Sequence, residues 1–446
     1  MLRRVIVWTL IGLLICGQAG DLAFAQVVAD GRTETTVTTS GSVTNVTTET
    51  IIGGTGVNSF SQFDVETGHT VNLHLPSGTS ALVNLITGRT ASQIEGTVNA
   101  IKGSTIGGRV YFVNPFGITV GPSGVINAGA VALMAPSQGF LFYESGGLRP
   151  LSADQVNAVL SGDIPLVPGG NISVQGTINA AGDIHLAGVN VNVPGQLVSG
   201  AVFEHEKPDF SDVVNINGVN RGKVVEFENG VVRIRATDTV TVGGTIAVHG
   251  AGDVDAGDIE IVSGNSIRLT PGAQLLAHVV PAQGAQQGGG TGQGAQQGGG
   301  TGTGDSTQEE PKVKAGSVTL KVAQSTDDKT PIVSLLSAAA SIEVDSATIR
   351  AGEIALTAQV KVDNLWSVTD PVDLARETVT LAESLVFENV NVVRSTAEAQ
   401  ITLKGSTTLH ADGKVTLSAS SEASAGMFSI GGSSQNVTVA DIGVVY

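Results

Sequence analysis

The chain of 446 residues contains one cysteine, two tryptophans and three tyrosines. Aromatics make up 4% of it and charged residues 14%. A single cysteine cannot form an intramolecular disulfide, so burial must hold the fold together. The dearth of Trp and Tyr argues against a set of β-sandwiches, whose cores are usually organised around such rings. Acidic residues outnumber basic ones 40 to 23, giving a net charge of −17. That sign repels phosphate backbones and speaks against a nucleic-acid partner. No run reaches the ~20 apolar residues of a membrane-spanning helix. What is present is glycine, 59 residues, and a hydrophobic fraction of 41%. The apolar share is mostly Val, Ile, Leu and Ala, which suits strands and thin cores and is too rich for general disorder.

The first residues follow the pattern of a secretory signal peptide. Arg3 and Arg4 precede the apolar run Val5 to Ile15, and Ala23-Phe24-Ala25 offers a small-x-small cleavage site. Cleavage there, leaving residues 1–25 behind, removes the lone Cys16. The mature chain is then expected outside the cytoplasm, without disulfides.

Past residue 30 the chain is a succession of short β-prone runs broken by glycine and asparagine. One phrase recurs: Gly, a small or polar residue, then aliphatic-x-aliphatic. It reads Gly182-Asp183-Ile184-His185-Leu186, Gly257-Asp258-Ile259-Glu260-Ile261 and Gly316-Ser317-Val318-Thr319-Leu320. It returns at Gly170, Gly352 and Gly413. A second phrase is Gly96-Thr97-Val98-Asn99-Ala100, repeated from Gly124 and from Gly176. Alternation turns one side chain inward and the next outward. Degenerate self-similarity in a glycine-rich, aromatic-poor chain is the mark of a solenoid. The reading is all-β, a right-handed parallel β-helix. With roughly 20–25 residues per coil and ~4.8 Å between coils, about 17 coils would form a rod of roughly 80 Å.

Several segments interrupt the pattern. Residues 33–50 hold nine threonines and read as a capping strand or a disordered lead. Ser152 to Leu160 reads as a helix, with Ser152 and Gln155 at capping-box spacing and Val156, Val159 and Leu160 on one face. A ten-residue Gly/Gln-rich unit at 283–292 is repeated unchanged at 293–302. It has nothing to bury, so 282–310 reads as a linker or an extruded loop. Residues 372–388 fit neither period.

A denser signature lies between residues 58 and 135. Asn58-Ser59-Phe60-Ser61-Gln62-Phe63-Asp64-Val65 precedes Gly68-His69-Thr70-Val71-Asn72-Leu73. Ser92-Gln93-Ile94-Glu95-Gly96 and Val110-Tyr111-Phe112-Val113-Asn114-Pro115-Phe116-Gly117-Ile118-Thr119-Val120-Gly121 follow. This resembles the haemagglutination-activity, or two-partner-secretion (TPS), domain of filamentous haemagglutinin-type exoproteins. Asn99-Ala100-Ile101-Lys102, Ile106-Gly107-Gly108, Gly124 to Gly129 and Asp209 to Ile216 look like its leukotoxin-type filamentous adhesin branch. The resemblance is strongest over 58–220, so 26–220 is expected to be the TPS domain. Residues 221–281 and 311–446 then read as further β-helix repeats.

The resemblance implies passage through the Sec translocon and then, unfolded, through an outer-membrane β-barrel transporter that recognises the TPS domain. It places the product outside, or on the outer surface of, a diderm bacterium. The N-terminal β-helix would nucleate folding there. The family's Asn-Pro-Asn-Gly-Ile motif maps onto Asn114, Pro115, Phe116, Gly117 and Ile118, with Phe116 departing from it. An upstream Asn-Arg pair reads Asn84-Leu85, without the arginine. Two roles are open for Asn114: a turn or asparagine rung bonded to backbone, or contact with the transporter.

Signatures of chemistry are sparse. The histidines are scattered, and no nucleophile elbow or phosphate loop is present. Asp253, Asp255, Asp258 and Glu260 form a weak Ca²⁺ candidate, set against a solvated acidic corner. No cofactor and no enzymatic activity are expected. The sequence ends in Tyr446, but the chain lacks the aromatic girdles of an outer-membrane barrel. The leading expectation is a secreted filamentous adhesin-like protein with an unidentified host or neighbour-cell ligand. A toxin-delivery stalk and a β-helix polysaccharide enzyme are the alternatives.

Overall fold

The alternating phrases become short parallel strands, and each phrase belongs to one wall of the molecule. The computed structural model describes residues 26–200, 230–251, 255–280, 314–327, 333–365, 392–427 and 435–439. Residues 1–25, read above as a signal peptide, Asp209 to Ile216, Asp253, the Gly/Gln-rich segment and 372–388 lie outside the described residues. Strands beginning with the first phrase, such as Ile184–Gly188, Ile259–Ser263 and Glu353–Leu365, stack in register in a 13-stranded first sheet. Those of the second phrase, Thr97–Lys102, Val125–Ala128 and Thr177–Ala180, stack in a 12-stranded second sheet. An 8-stranded third sheet runs from Ser92–Ile94 to Val392–Lys404. The chain visits the walls in turn and returns one rung higher, so the molecule is a right-handed parallel β-helix.

Aliphatic residues at alternate positions fill the lumen. One continuous core reaches from Val27 to Ile401. At its N-terminal end Phe60, Phe63 and Phe112 stack with centroids 5.3 Å apart. Further along, the hydrophobic core of the described residues is built of Ile, Val, Leu and Ala. The corners between walls are too tight for side chains. A Cβ on Gly176 would strike the carbonyl oxygens of Gly121 and Gly124, and one on Gly195 that of Gly176. This column of close backbone approach explains why the second phrase opens on glycine.

The N-terminal end of the lumen is closed. The Thr-rich stretch forms an antiparallel hairpin, Thr35–Ser40 with Val43–Thr48, whose second strand continues in parallel into Thr70–His74. Gln26–Ala29 pairs antiparallel with Thr55–Asp64 on the first sheet. These pairs cover backbone and core that the first coil would leave open.

Fewer coils form than the composition suggested. Among the described residues, ten parallel strands line the first sheet, from Thr55–Asp64 to Val415–Met427. That corresponds to roughly 45 Å of stacked rungs at ~4.8 Å each. The shortfall from about 17 arises because several coils carry long excursions. Val110 pairs with Val131, a short step, whereas Val131 pairs with Ile184 and Ile354 with Val415.

The excursion between Val131 and Ile184 contains a 3₁₀ turn, Gln138–Phe140, and helix α1, Ala153–Ser161. Ser152 caps the helix through Gln155 N at 3.2 Å. The capping box is only half made, because the Gln155 side chain donates to Phe140 O instead, at 2.8 Å. Val156 and Val159 press with Leu141 and Phe142 onto Val83, Leu85, Val113 and Met134. A second, smaller core thus covers the outer face of the first sheet.

Candidate functional site

The motif residues make one corner of the β-helix. Strand Arg109–Val113 ends at Asn114, whose N–H donates to Met134 O at 3.0 Å on the next coil. Gly117 N donates back to Asn114 O at 3.0 Å, closing a four-residue turn. Pro115 at the second position sets the backbone for it. Gly117 adopts φ +111°, and a Cβ there would also meet Asn171 O at 2.8 Å, so glycine is required. Ile118 then opens strand Ile118–Val120 of the third sheet, with its side chain in the lumen.

The Asn114 side chain is 0% exposed and its amide is fully used. Its Oδ1 accepts from Phe116 N at 2.9 Å. Its Nδ2 donates to Thr90 O at 3.0 Å and to Ser92 Oγ at 3.1 Å on the preceding coil. An aspartate here would lose both donations and a leucine all three bonds. Phe116, at the position that departs from the family motif, packs edge-on against Phe142 with centroids 6.0 Å apart. The aromatic side chain therefore serves the outer core under the helix excursion.

Asn84 lies in strand Ala81–Ile86, one coil earlier. Its Oδ1 accepts from Asn58 Nδ2 at 3.0 Å, and its Nδ2 donates to Tyr111 O at 3.2 Å. Asn58 in turn accepts from Thr35 of the capping hairpin at 2.8 Å. A rung of polar bonds thus ties the cap to the third coil. Leu85, standing where the upstream pair would have arginine, is buried in the outer core.

A longer ladder was not singled out from the sequence, although each phrase of the second kind spells it. Asn72 donates to Asn45, Asn99 to Asn72, Asn127 to Asn99 and Asn179 to Asn127, at 2.9–3.2 Å. The third residue of Thr-Val-Asn-Ala was the signal. His74 closes the lower end with Nε2 3.0 Å from Asn45 Oδ1.

The described members of the acidic cluster, Asp255, Asp258 and Glu260, are each engaged by neighbouring groups. Asp255 Oδ1 accepts from Lys314 N at 2.7 Å. Asp258 Oδ1 accepts from Ser317 N and Oγ at 2.7 and 2.8 Å. Glu260 pairs with Arg233 at 3.1 Å. Among the described residues no three His, Cys, Asp or Glu side chains gather closely enough to hold a metal ion. None of their helices is long and apolar enough to cross a membrane.

The family model described as the TPS secretion domain matches residues 25–297, more than half of the chain. The chain belongs to the TPS secretion domain family. The solved secretion domain of filamentous hemagglutinin is 15% identical, over 85% of this chain and 99% of that one, with a TM-score of 0.37. The HMW1 secretion domain from Haemophilus influenzae is 13% identical, over 88% and 98%, with a TM-score of 0.31. No curated protein matches. The protein is thus an exoprotein of the TPS type, and domains of this kind engage an outer-membrane transporter and lead their chains to the cell surface or beyond.

Proposed function

We propose that this chain is a secreted, filamentous adhesin-like structural protein whose capped N-terminal coils act first as a secretion signal and then as the folding nucleus. The observation that carries this reading is the burial of Asn114 within a motif inside the matched family span. Once the coil has closed, no side-chain atom of Asn114 is available to a partner. Recognition of Asn84 and Asn114 by the transporter therefore belongs to the unfolded chain in the periplasm, and the same groups become hydrogen-bonded rungs on emergence. Each coil offers the next a complete edge of backbone donors and acceptors, so folding proceeds rung by rung from the capped end. The short early steps between paired coils keep those contacts local and the nucleus fast.

Under this reading Sec delivers the chain to the periplasm, the product acts at the cell exterior without catalysis, and the stacked walls display a surface for a host or neighbour-cell ligand. The described strands beyond residue 311 extend that wall.

The test separates recognition from stability. Asn114→Ala and Asn127→Ala each remove a buried amide, but only the first lies in the motif. In cells expressing the transporter, Asn127→Ala should still appear outside while Asn114→Ala accumulates in the periplasm. Equal secretion of both variants would remove the recognition role from Asn114.

A further inference from the structure

Three arginines line one outer patch of a chain whose net charge is −17. Arg109 lies on strand Arg109–Val113, and Arg233 and Arg235 lie on strand Val232–Ala236. Both strands belong to the first sheet, and all three side chains are on its exposed face. They border an open cleft of about 530 Å³ between the sheet and the C-terminal end of helix α1. Tyr111, Ala132, His185, Arg233 and Glu260 stand in register across its floor. Asp183 completes the rim.

The charges in the cleft are mixed and incompletely paired. Arg233 meets Glu260 at 3.1 Å, an exposed ion pair in which solvent weakens the attraction. Arg235 has no carboxylate partner among the described residues. One oxygen of Asp183 accepts from Val231 N at 2.9 Å. Burial first, and then Arg233 and Arg235, hold the His185 imidazole at a pKa of about 4. At neutral pH it is an uncharged donor and acceptor.

This arrangement selects a ligand class. A bare phosphate or sulfate ion would be repelled by Asp183 and Glu260. A polyhydroxylated acid uses everything present: guanidinium forks for its anion, carboxylates for its hydroxyls, and the Tyr111 ring for the apolar face of a sugar. The volume falls in the range of small-molecule clefts. We propose that this cleft binds an acidic saccharide, with its carboxylate or sulfate on Arg233 and Arg235 and its hydroxyls on Asp183 and Glu260. The site stands independently of the export reading.

The experiment is calorimetric titration of the purified mature chain with three probes: a galacturonate trimer, a heparin tetrasaccharide and neutral maltotriose. At least one acidic probe should bind, more weakly as salt is raised, and maltotriose should not. The galacturonate and heparin arms distinguish carboxylate from sulfate as the anchor. Arg235→Ala should weaken binding at least tenfold. Arg235→Lys, which keeps the charge but loses the fork, should weaken it less and guards against a folding defect. Arg350→Ala, on the second sheet, should leave binding unchanged. Absence of binding by both acids, equal binding of maltotriose, or equal losses in Arg235→Ala and Arg350→Ala would overturn the proposal.

Discussion

Asparagine is a poor strand former, yet five of them stack through the second sheet because each amide completes its neighbour. Asn127 sits inside the ladder and Asn179 at its upper end, where Val198 is the next residue in register. Asn127→Ala leaves a buried donor and a buried acceptor unmet and should cost about 1–3 kcal/mol. Asn179→Ala breaks one bond and should cost less; urea denaturation midpoints of the two variants check the order. A second prediction concerns acid. His185 is held at about 4 in the folded chain, chiefly by burial, against 6.5 unfolded. The unfolded chain therefore binds more protons between those values, so the stabilisation is complete above pH 6.5 and is lost as pH falls toward 4. His185→Gln should flatten the fall in melting temperature across that window, and an unchanged slope would contradict it. Burial also lowers His74, His249 and His278, which act in the same direction. At this scale the sequence disclosed the turn at Asn114 through Pro115 and Gly117. It did not disclose that the amide is sealed in, because its partners Thr90 and Ser92 lie on another coil. The arginine cleft was hidden for the same reason: Tyr111, His185 and Arg233 meet only through register across the sheet.

Among the elements, the helix was the most legible, since Ser152, Val156 and Val159 carry a cap and a face in a few residues. Its role was not, because the wall it covers lies far off in sequence. Ser152→Ala should cost about 1 kcal/mol of local helix stability. The coils beneath depend on the lumen rather than on this flap. Limited proteolysis should therefore cut the variant faster within 135–170 while hydrogen exchange in Val125–Ala128 stays slow. Corners behave differently. Gly176→Ala drives a methyl into the carbonyl oxygens of Gly121 and Gly124, which are backbone and cannot step aside. Refolding of that variant should yield little native β-helix by circular dichroism, and a native spectrum would show that the corner tolerates a Cβ. For the Thr-rich stretch composition left a capping strand and a disordered lead both open, and the structure forms the cap. Its pairing as a hairpin was not read from the sequence; in the structure Val37 and Val46 face each other across it and pack at the end of the lumen.

For the whole molecule, the class of fold was written in the recurring phrases, and the number of coils was not. Excursions such as the one between Val131 and Ile184 lengthen a coil without disturbing register, so dividing length by an average period overcounts the rungs. If the capped N-terminal coils are the secretion signal, they suffice to lead a chain through a dedicated outer-membrane transporter. The most direct measurement fuses residues 1–200 to a disulfide-free reporter and follows it in a diderm host with and without that transporter. Reporter should reach the medium only when the transporter is present, with none trapped after it is induced. Reporter retained in the periplasm in both strains, or released equally in both, would contradict it.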